Sequence, residues 1–110
     1  MEISYKTKKL KNSLTTDKEL SKEYGVLAKK IKQRLAQLVA ADNLSVIAKL
    51  PALRLHSYSG NRKGEWSIDI FKNWRIIFEI DQDPIPRLED GGVNLVEVIK
   101  IKAISVEDPH

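Results

Sequence analysis

The segment HSYSGNRKGEWSIDIFKNWRIIF, residues 56–78, decides the fold of this chain. Its apolar side chains recur at about every second position, which is typical of strands. Gly60 with Asn61, and Lys72 with Asn73, have the chemistry of tight turns. The same period continues on both sides of the segment, and it predicts strands over 53–58, 64–71, 74–80 and 94–105. Residues 81–92 contain two prolines and two glycines, which predict a longer surface excursion before the last strand.

The first half of the chain has the pattern of helices after a short strand. Residues 3–7 alternate apolar and polar side chains, as a half-buried strand does. Thr16 and Glu19 have the spacing of a capping box at a helix start. Apolar residues then recur at helical spacing and predict one buried stripe: Leu20, Tyr24, Leu27, Ile31, Leu35, Leu38 and Val39.

Two positions punctuate this helical region. Gly25 either divides it into two helices or bends one. Further on, Ser45 is expected to cap a short helix that Pro51 stops. The order of elements predicts an α+β fold: an N-terminal strand, two to three helices, and a four-stranded antiparallel meander with the helices packed on one face.

Length and composition limit the class of protein. A chain of 110 residues predicts one domain over 1–110. Cysteine is absent, which excludes disulfides, a thiolate nucleophile and a cysteine zinc site, and fits a cytoplasmic location. The N-terminus lacks an apolar signal region, and no apolar run approaches the roughly 18 residues of a membrane span, so we expect no membrane association. The net charge of +4 and the pI of about 9.3 favour a polyanion or an acidic partner.

Strand alternation assigns side chains to faces. Over 74–80, Trp74, Ile76, Phe78 and Ile80 share the side expected to meet the helices, so Arg75 lies on the opposite side with Ile77 and Glu79. Over 53–58, one face carries Arg54, His56 and Tyr58. Two structural alternatives stay open: Arg75 pairs across the strands with Glu79 or Asp69, and His56 is a half-buried strand histidine.

The polar residues of segment 56–78 favour a phosphate-bearing partner. Basic side chains are interleaved with tryptophans and preceded by a histidine, a combination that most simply predicts RNA: His56, Arg62, Lys63, Trp66, Lys72, Trp74 and Arg75. The alternative is a solvated surface hairpin with two core tryptophans.

Metal-independent RNA cleavage needs groups of the kind that this segment supplies. A base takes the proton of a 2′-hydroxyl, a cation stabilises charge on the phosphate, and an acid protonates the departing 5′-oxygen. Arginine suits the second role because its planar fork meets two phosphate oxygens. Histidine suits either proton transfer because its pKa lies near neutrality. The two histidines lie far apart in the sequence, so we expect no metal site, and we expect no cofactor.

The same segment resembles the signature of HigB-like killer toxins of plasmid-maintenance systems, within the RelE/ParE toxin superfamily. The residues that carry the resemblance are Gly60-Asn61-Arg62-Lys63-Gly64, Trp66-Ser67-Ile68 and Trp74-Arg75-Ile76-Ile77-Phe78. The opening residues 1–10, the excursion at 83–92 and the closing Val106, Glu107, Asp108 and His110 add to it.

The resemblance implies a ribosome-dependent mRNA endonuclease of the same α+β fold, held inactive by a cognate helix-turn-helix antitoxin. It implies a catalytic set of His56, Arg62, Arg75, Asp108 and His110. We further expect RNA contacts from the basic, polar and aromatic residues of the segment: Ser59, Asn61, Lys63, Trp66 and Lys72. Two departures from the family pattern are Pro109, where the ending usually has tyrosine, and Ser59, where some relatives have lysine.

Two other functions compete with this interpretation. One is a non-enzymatic poison that binds a protein target, as the gyrase-inhibiting branch of the superfamily does; such a poison needs no histidine–arginine set. The other is an inactive relic that only binds its antitoxin, which the substitution at Pro109 keeps open.

Overall fold

In the computed structural model, which describes residues 1–108, the chain forms four helices and five strands. The helices are α1 (Lys8–Thr15), α2 (Asp17–Tyr24), α3 (Ala28–Ala40) and α4 (Leu44–Ala48). The strands are β1 (Glu2–Tyr5), β2 (His56–Ser57), β3 (Glu65–Phe71), β4 (Trp74–Ile80) and β5 (Lys100–Glu107). Short 3₁₀ turns occupy Gly25–Leu27, Pro51–Leu53, Gly60–Arg62 and Leu95–Glu97.

All five strands belong to one sheet with the order β1-β5-β4-β3-β2. Strands β2 to β5 are antiparallel neighbours and form the predicted meander. The N-terminal β1 runs parallel to β5 at the sheet edge, with Glu2 opposite Lys100. The predicted α+β fold is confirmed, but the described residues form four helices rather than two to three, and β1 makes the sheet five-stranded.

The helices cover one face of this sheet. Ile31 and Leu38 of α3 are 0% and 1% exposed, and they share one apolar cluster with Ile68, Ile76 and Phe78 of the sheet. Trp74 packs against the same cluster. The predicted faces of β4 are therefore confirmed, since Arg75 and Glu79 alternate with these core residues and lie on the opposite side.

A buried cation ties α3 to the sheet. The side chain of Arg34 is only 7% exposed, and its Nε donates a hydrogen bond of 2.8 Å to the backbone carbonyl of Asp69 in β3. Its Nη1 donates to Oε1 of Gln37 at 2.9 Å. A buried charge is tolerated when hydrogen bonds replace its water shell, so Arg34 fixes the position of β3 at Asp69.

The helix boundaries follow local sequence, with two corrections. Gly25 has a φ of 52°, which glycine adopts readily, and it separates α2 from α3 through a 3₁₀ turn. Thr16 does precede α2, yet within residues 1–108 its side chain makes no capping bond, so the predicted capping box is wrong. Ser45 lies inside α4, whose cap position is Asn43, so the predicted cap at Ser45 is also wrong.

Three strands and one helical residue differ from prediction. The first strand, predicted over 3–7, ends at Tyr5 because Thr7 caps α1. The strand predicted over 53–58 shortens to β2 because Pro51–Leu53 forms a 3₁₀ turn and Arg54 has a left-handed φ of 43°. The last strand begins at Lys100 because Leu95–Glu97 is another 3₁₀ turn. Val39 is 59% exposed, so its predicted place in the buried stripe is wrong.

One irregularity in β5 changes which side chains face outward. Ile77 of β4 pairs with Ser105, but Phe78 pairs with Ala103, so Ile104 is an extra residue in β5. Such a bulge reverses the alternation of the strand beyond it. Ser105 and Glu107 therefore lie on the face away from the helices, while Val106 packs on the core.

The contrast between Leu38 and Val39 gives a test of the core. We expect Leu38→Ala to lower the free energy of unfolding by about 2–5 kcal/mol, because it removes buried methyl groups and leaves a cavity. The neighbouring Val39→Ala should change it by less than about 0.5 kcal/mol, since that side chain is in water. Urea unfolding of both variants measures the two values. Equal losses would contradict the described helix orientation.

Candidate active site

The face of the sheet that the helices leave uncovered, here called the open face, carries most of the predicted functional residues. Strand pairing aligns His56 with Ser67, Ser67 with Ile77, and Ile77 with Ser105 in one row across the sheet. The next row places Arg75 between Asp69 and Glu107. Side chains from β2, β3, β4 and β5 therefore meet there.

One pocket on the open face brings a histidine and two arginines together. It has a volume of about 530 Å³ and is lined by Arg54, Leu55, His56, Asp69 and Arg75. His56 is exposed, whereas the side chains of Arg75 and Asp69 are only 27% and 16% exposed. The pocket thus offers a titratable ring and guanidinium groups to a ligand from solvent.

Asp69 lies between the two arginines of the pocket. Its Oδ1 is 3.4 Å from Nε of Arg75, and its Oδ2 is 3.7 Å from Nε of Arg54. The Arg75 Nε is buried and makes no hydrogen bond within the described residues, so its contact with Asp69 is an ion pair only. Asp69, rather than Glu79, is the cross-strand partner that the sequence left open for Arg75.

Arg62 makes a denser set of contacts on the same face. Its Nη1 and Nη2 donate to the two carboxylate oxygens of Glu107 at 3.0 and 2.9 Å. Its Nε and Nη2 donate to Oε1 of Glu65 at 3.0 and 2.8 Å. This arrangement, the Arg62 clamp, joins the Gly60–Arg62 turn to the end of β5.

The clamp shifts the pKa values of Arg62 and Glu107. Hydrogen bonds from Arg62, and next from Ser105, hold the pKa of Glu107 below its usual range. The bonds to Glu107 and then to Glu65 raise the pKa of Arg62. Both groups therefore stay charged across the physiological range.

Tyr58 connects the pocket to the clamp. Nη1 of Arg75 donates to its hydroxyl oxygen at 3.3 Å, and the guanidinium carbon of Arg62 lies 5.1 Å from the centre of its ring. The rings of His56 and Tyr58 are perpendicular, with centroids 4.9 Å apart. Strand alternation placed Tyr58 on the face of His56 but gave it no role.

The other predicted residues are distributed more widely. Ser59, Asn61 and Lys63 are on and beside the Gly60–Arg62 turn, whereas Lys72 lies at the opposite end of the hairpin, in the turn between β3 and β4. Asp108 is exposed after β5. Pro109 and His110 lie outside the described residues, so the predicted role of His110 stays a prediction.

The side chain of Trp66 lies on the core face of the sheet, opposite to the arginines. It alternates with Ser67 and Asp69 along β3 and packs against the core cluster with the helices. The alternative of a core tryptophan fits it better than an RNA contact on the open face. Its neighbours along β3 have the opposite orientation because successive strand side chains point to opposite faces.

Sequence reasoning missed the acids of the site. Asp69 was considered only as a partner of Arg75, and neither Glu65 nor Glu107 was assigned a function. The alternation of β3 places Glu65, Ser67 and Asp69 on one face, so the sequence pattern could have placed Glu65 and Asp69 on the same face as Arg75. Glu107 reaches the open face through the bulge, which strand alternation alone does not predict.

A larger groove of about 920 Å³ lies beside α1, α2 and the end of β5. The described residues that line it include lysines and glutamates but no arginine or histidine. We place the candidate site in the smaller pocket because the groups suited to phosphate chemistry are there. Among residues 1–108, no group of three or more histidine, aspartate or glutamate side chains is arranged to hold a metal ion.

The fold is similar to two solved toxin structures. One is the YoeB/ParE toxin from Agrobacterium tumefaciens, with a TM-score of 0.52 and 11% identity over 97% of this chain and 96% of that chain. The other is a mutant of YafQ from E. coli, with a TM-score of 0.52 and 17% identity over 96% of this chain and 89% of that one. The architecture is therefore that of RelE/ParE-like toxins. No curated protein gives a significant match.

Sequence comparison identifies the family. The family model described as RelE-like toxin of type II toxin-antitoxin system HigB matches residues 3–88, which include the pocket and Arg62. The chain belongs to this family of HigB-like toxins, as its resemblance predicted. A type II toxin has an antitoxin partner. None of the helices within residues 1–108 has the length and hydropathy that a membrane crossing requires.

The clamp predicts a pH-dependent loss of stability. We expect Glu107→Gln to lower the free energy of unfolding by about 1 kcal/mol near neutral pH, since the pair is partly exposed. Because the pKa of Glu107 is lower in the folded chain, its contribution is complete above the usual value of 4.5. The contribution is lost as the pH falls from there through the folded value.

Urea unfolding at about pH 7 and about pH 3 measures this difference. The control is Glu79→Gln, which alters an exposed acid on the neighbouring strand and should have little effect at either pH. A stability difference for Glu107→Gln that persists undiminished at the lower pH would contradict the clamp.

Proposed function

We propose that this toxin is a ribosome-dependent, metal-independent mRNA endonuclease that inhibits translation. The observation that supports this most directly is the shared pocket of His56, Arg54 and Arg75 on the open face. A histidine beside guanidinium groups supplies proton transfer and charge stabilisation in one place. Residues 1–110 would act as a single toxin domain in the cytoplasm, where its substrate is translated.

The proposed reaction is attack of a 2′-hydroxyl on the adjacent phosphorus. A base removes the hydroxyl proton, the new bond forms as the bond to the 5′-oxygen breaks, and an acid protonates that oxygen. His56 is proposed for one of these transfers because its ring is exposed at the pocket. Asp108 and His110 are proposed to supply the other, as the family resemblance implies.

Arg75 is proposed as the main phosphate ligand. Its buried Nε makes no hydrogen bond within the described residues, and its Nη1 donates a long hydrogen bond of 3.3 Å to the Tyr58 hydroxyl. An incoming phosphate must displace Asp69 to reach this Nε, and the distance of 3.4 Å between Asp69 and Arg75 is longer than that of a charge-assisted hydrogen bond. Guanidinium donors to a phosphate are shorter and stronger than neutral ones.

Arg62 is proposed to hold the Gly60–Arg62 turn in place rather than to bind the phosphate as its main role. Four hydrogen bonds to Glu65 and Glu107 occupy its fork, so a phosphate must displace a carboxylate to bind it. The Arg62 clamp fixes the turn around which Ser59, Asn61 and Lys63 lie. These residues, with Lys72 at the other end, are proposed to contact the RNA backbone.

One observation favours the inactive-relic alternative. Each arginine of the open face has a carboxylate partner: Asp69 for Arg54 and Arg75, and Glu65 with Glu107 for Arg62. Such pairing reduces the positive field that draws nucleic acid. A relic would bind only the antitoxin, for which we propose a helix-turn-helix protein encoded beside the toxin gene.

Substitution of Arg75 tests the endonuclease directly. With purified ribosomes and a translated mRNA, Arg75→Ala should lower the cleavage rate by about two to three powers of ten, because a preorganised donor to the developing charge is lost. Arg75→Lys should restore the rate only in part, since a point charge lacks the bidentate fork.

The matched control is Arg87→Ala, which alters an arginine in the excursion between β4 and β5. It should cleave at the rate of the intact chain. Undiminished cleavage by a folded Arg75→Ala protein would remove Arg75 from the site. Equal losses in both variants would point to a general effect of charge.

Salt dependence separates an RNA target from a protein target. If lysines contact phosphates, binding to programmed ribosomes should weaken with a log–log slope of about −0.7 per phosphate contact. Lys63→Gln and Lys72→Gln should each reduce the magnitude of the slope by about 0.7. Binding that is insensitive to salt would instead favour the protein poison or the relic.

A further inference from the structure

Tyr58 occupies the point where the pocket and the Arg62 clamp meet. It is half-buried, and three of the proposed functional side chains contact it: Arg75 at its hydroxyl, Arg62 over its ring and His56 with its ring perpendicular to that of Tyr58. Tyr58 directly follows the short strand β2. That strand is short because the turn at Pro51–Leu53 and the left-handed Arg54 precede it. Its backbone N–H is fixed by the carbonyl of Glu65 at 2.9 Å.

The hydrogen bonding of this hydroxyl leaves one proton to assign. The Tyr58 oxygen accepts from Nη1 of Arg75. A phenol also has one O–H donor, and guanidinium groups have no acceptor, so neither Arg75 nor Arg62 can receive that proton. A phosphate oxygen bound to Arg75 would lie next to the hydroxyl and would be an anionic acceptor, which forms short, strong bonds with O–H donors.

We propose that Tyr58 is a further residue of the active site, whose hydroxyl donates to the phosphate oxygen that Arg75 binds. Its ring has a second role, because it keeps Arg62 and His56 at fixed distances through a cation–π contact and an edge contact. This inference rests on the proposed endonuclease function. It assigns two separable contributions to one side chain, the hydroxyl to the transition state and the ring to the geometry of the pocket.

Two substitutions separate these contributions. Tyr58→Phe removes only the hydroxyl oxygen. Arg75 then loses one neutral hydrogen-bond partner, while Arg62 and His56 keep their contacts with the aromatic ring. We expect kcat for ribosome-bound mRNA to fall about tenfold to a hundredfold with KM nearly unchanged, because the lost bond strengthens as charge develops. Tyr58→Leu removes the ring as well, and we expect it also to raise KM.

The control is Tyr5→Phe, which removes a hydroxyl from β1 at the far edge of the sheet and should leave both constants unchanged. The Tyr58→Phe change should also have a smaller effect in the Arg75→Lys background than in the intact chain, since both groups act on the same phosphate. Urea unfolding of Tyr58→Phe should match that of the intact chain.

Each result decides the inference. Tyr58→Phe as active as the intact chain contradicts a role for the hydroxyl. A loss that is fully additive with Arg75→Lys, or that follows a loss of folded protein, shows a structural role instead and overturns the assignment. An intact chain that leaves ribosome-bound mRNA whole contradicts the endonuclease function itself, and the role of Tyr58 fails with it.

Discussion

The register of the β4–β5 pair decides what the open face contains. The single extra residue at Ile104 reverses the alternation of β5, so Ser105 and Glu107 lie beside Ile77 and Arg75 rather than on the core. Without it, Glu107 would point into the apolar cluster and Arg62 would lose its bidentate partner. The turn that carries Arg62, the last strand and the neighbouring pocket therefore depend on one local irregularity.

Charge pairing gives the open face its second property. Carboxylates lie within ion-pair distance of all three of its arginines, yet the pairs differ in tightness. Arg62 is held by short bidentate bonds, whereas Arg75 contacts Asp69 at 3.4 Å without a hydrogen bond. Because of this difference, Arg62 is suited to stabilising the fold and Arg75 to binding a phosphate. The charge pairing also means that substrate binding must compete with groups of the protein itself.

The sequence predicted the fold class, the central strands and the division of β4 into two faces, because periods of two and 3.6 record burial directly. It failed where backbone geometry overrides pattern. The left-handed Arg54 and the turn at Pro51–Leu53 shorten the first strand of the meander, although apolar residues continue through it. The predicted site was partly assembled, since His56, Arg62 and Arg75 do share the open face. The acids and the central position of Tyr58 depend on contacts across strands, which a linear pattern does not contain.

Mapping of mRNA 5′ ends in cells after induced expression tests most directly whether this toxin cleaves mRNA during translation. Two reporter transcripts that differ only in their start codon provide the comparison. We predict new 5′ ends within the coding region of the translated transcript, and none in the transcript that lacks a start codon. Growth arrest with no new 5′ ends in either transcript would contradict the proposed cleavage, as would equal cleavage of both.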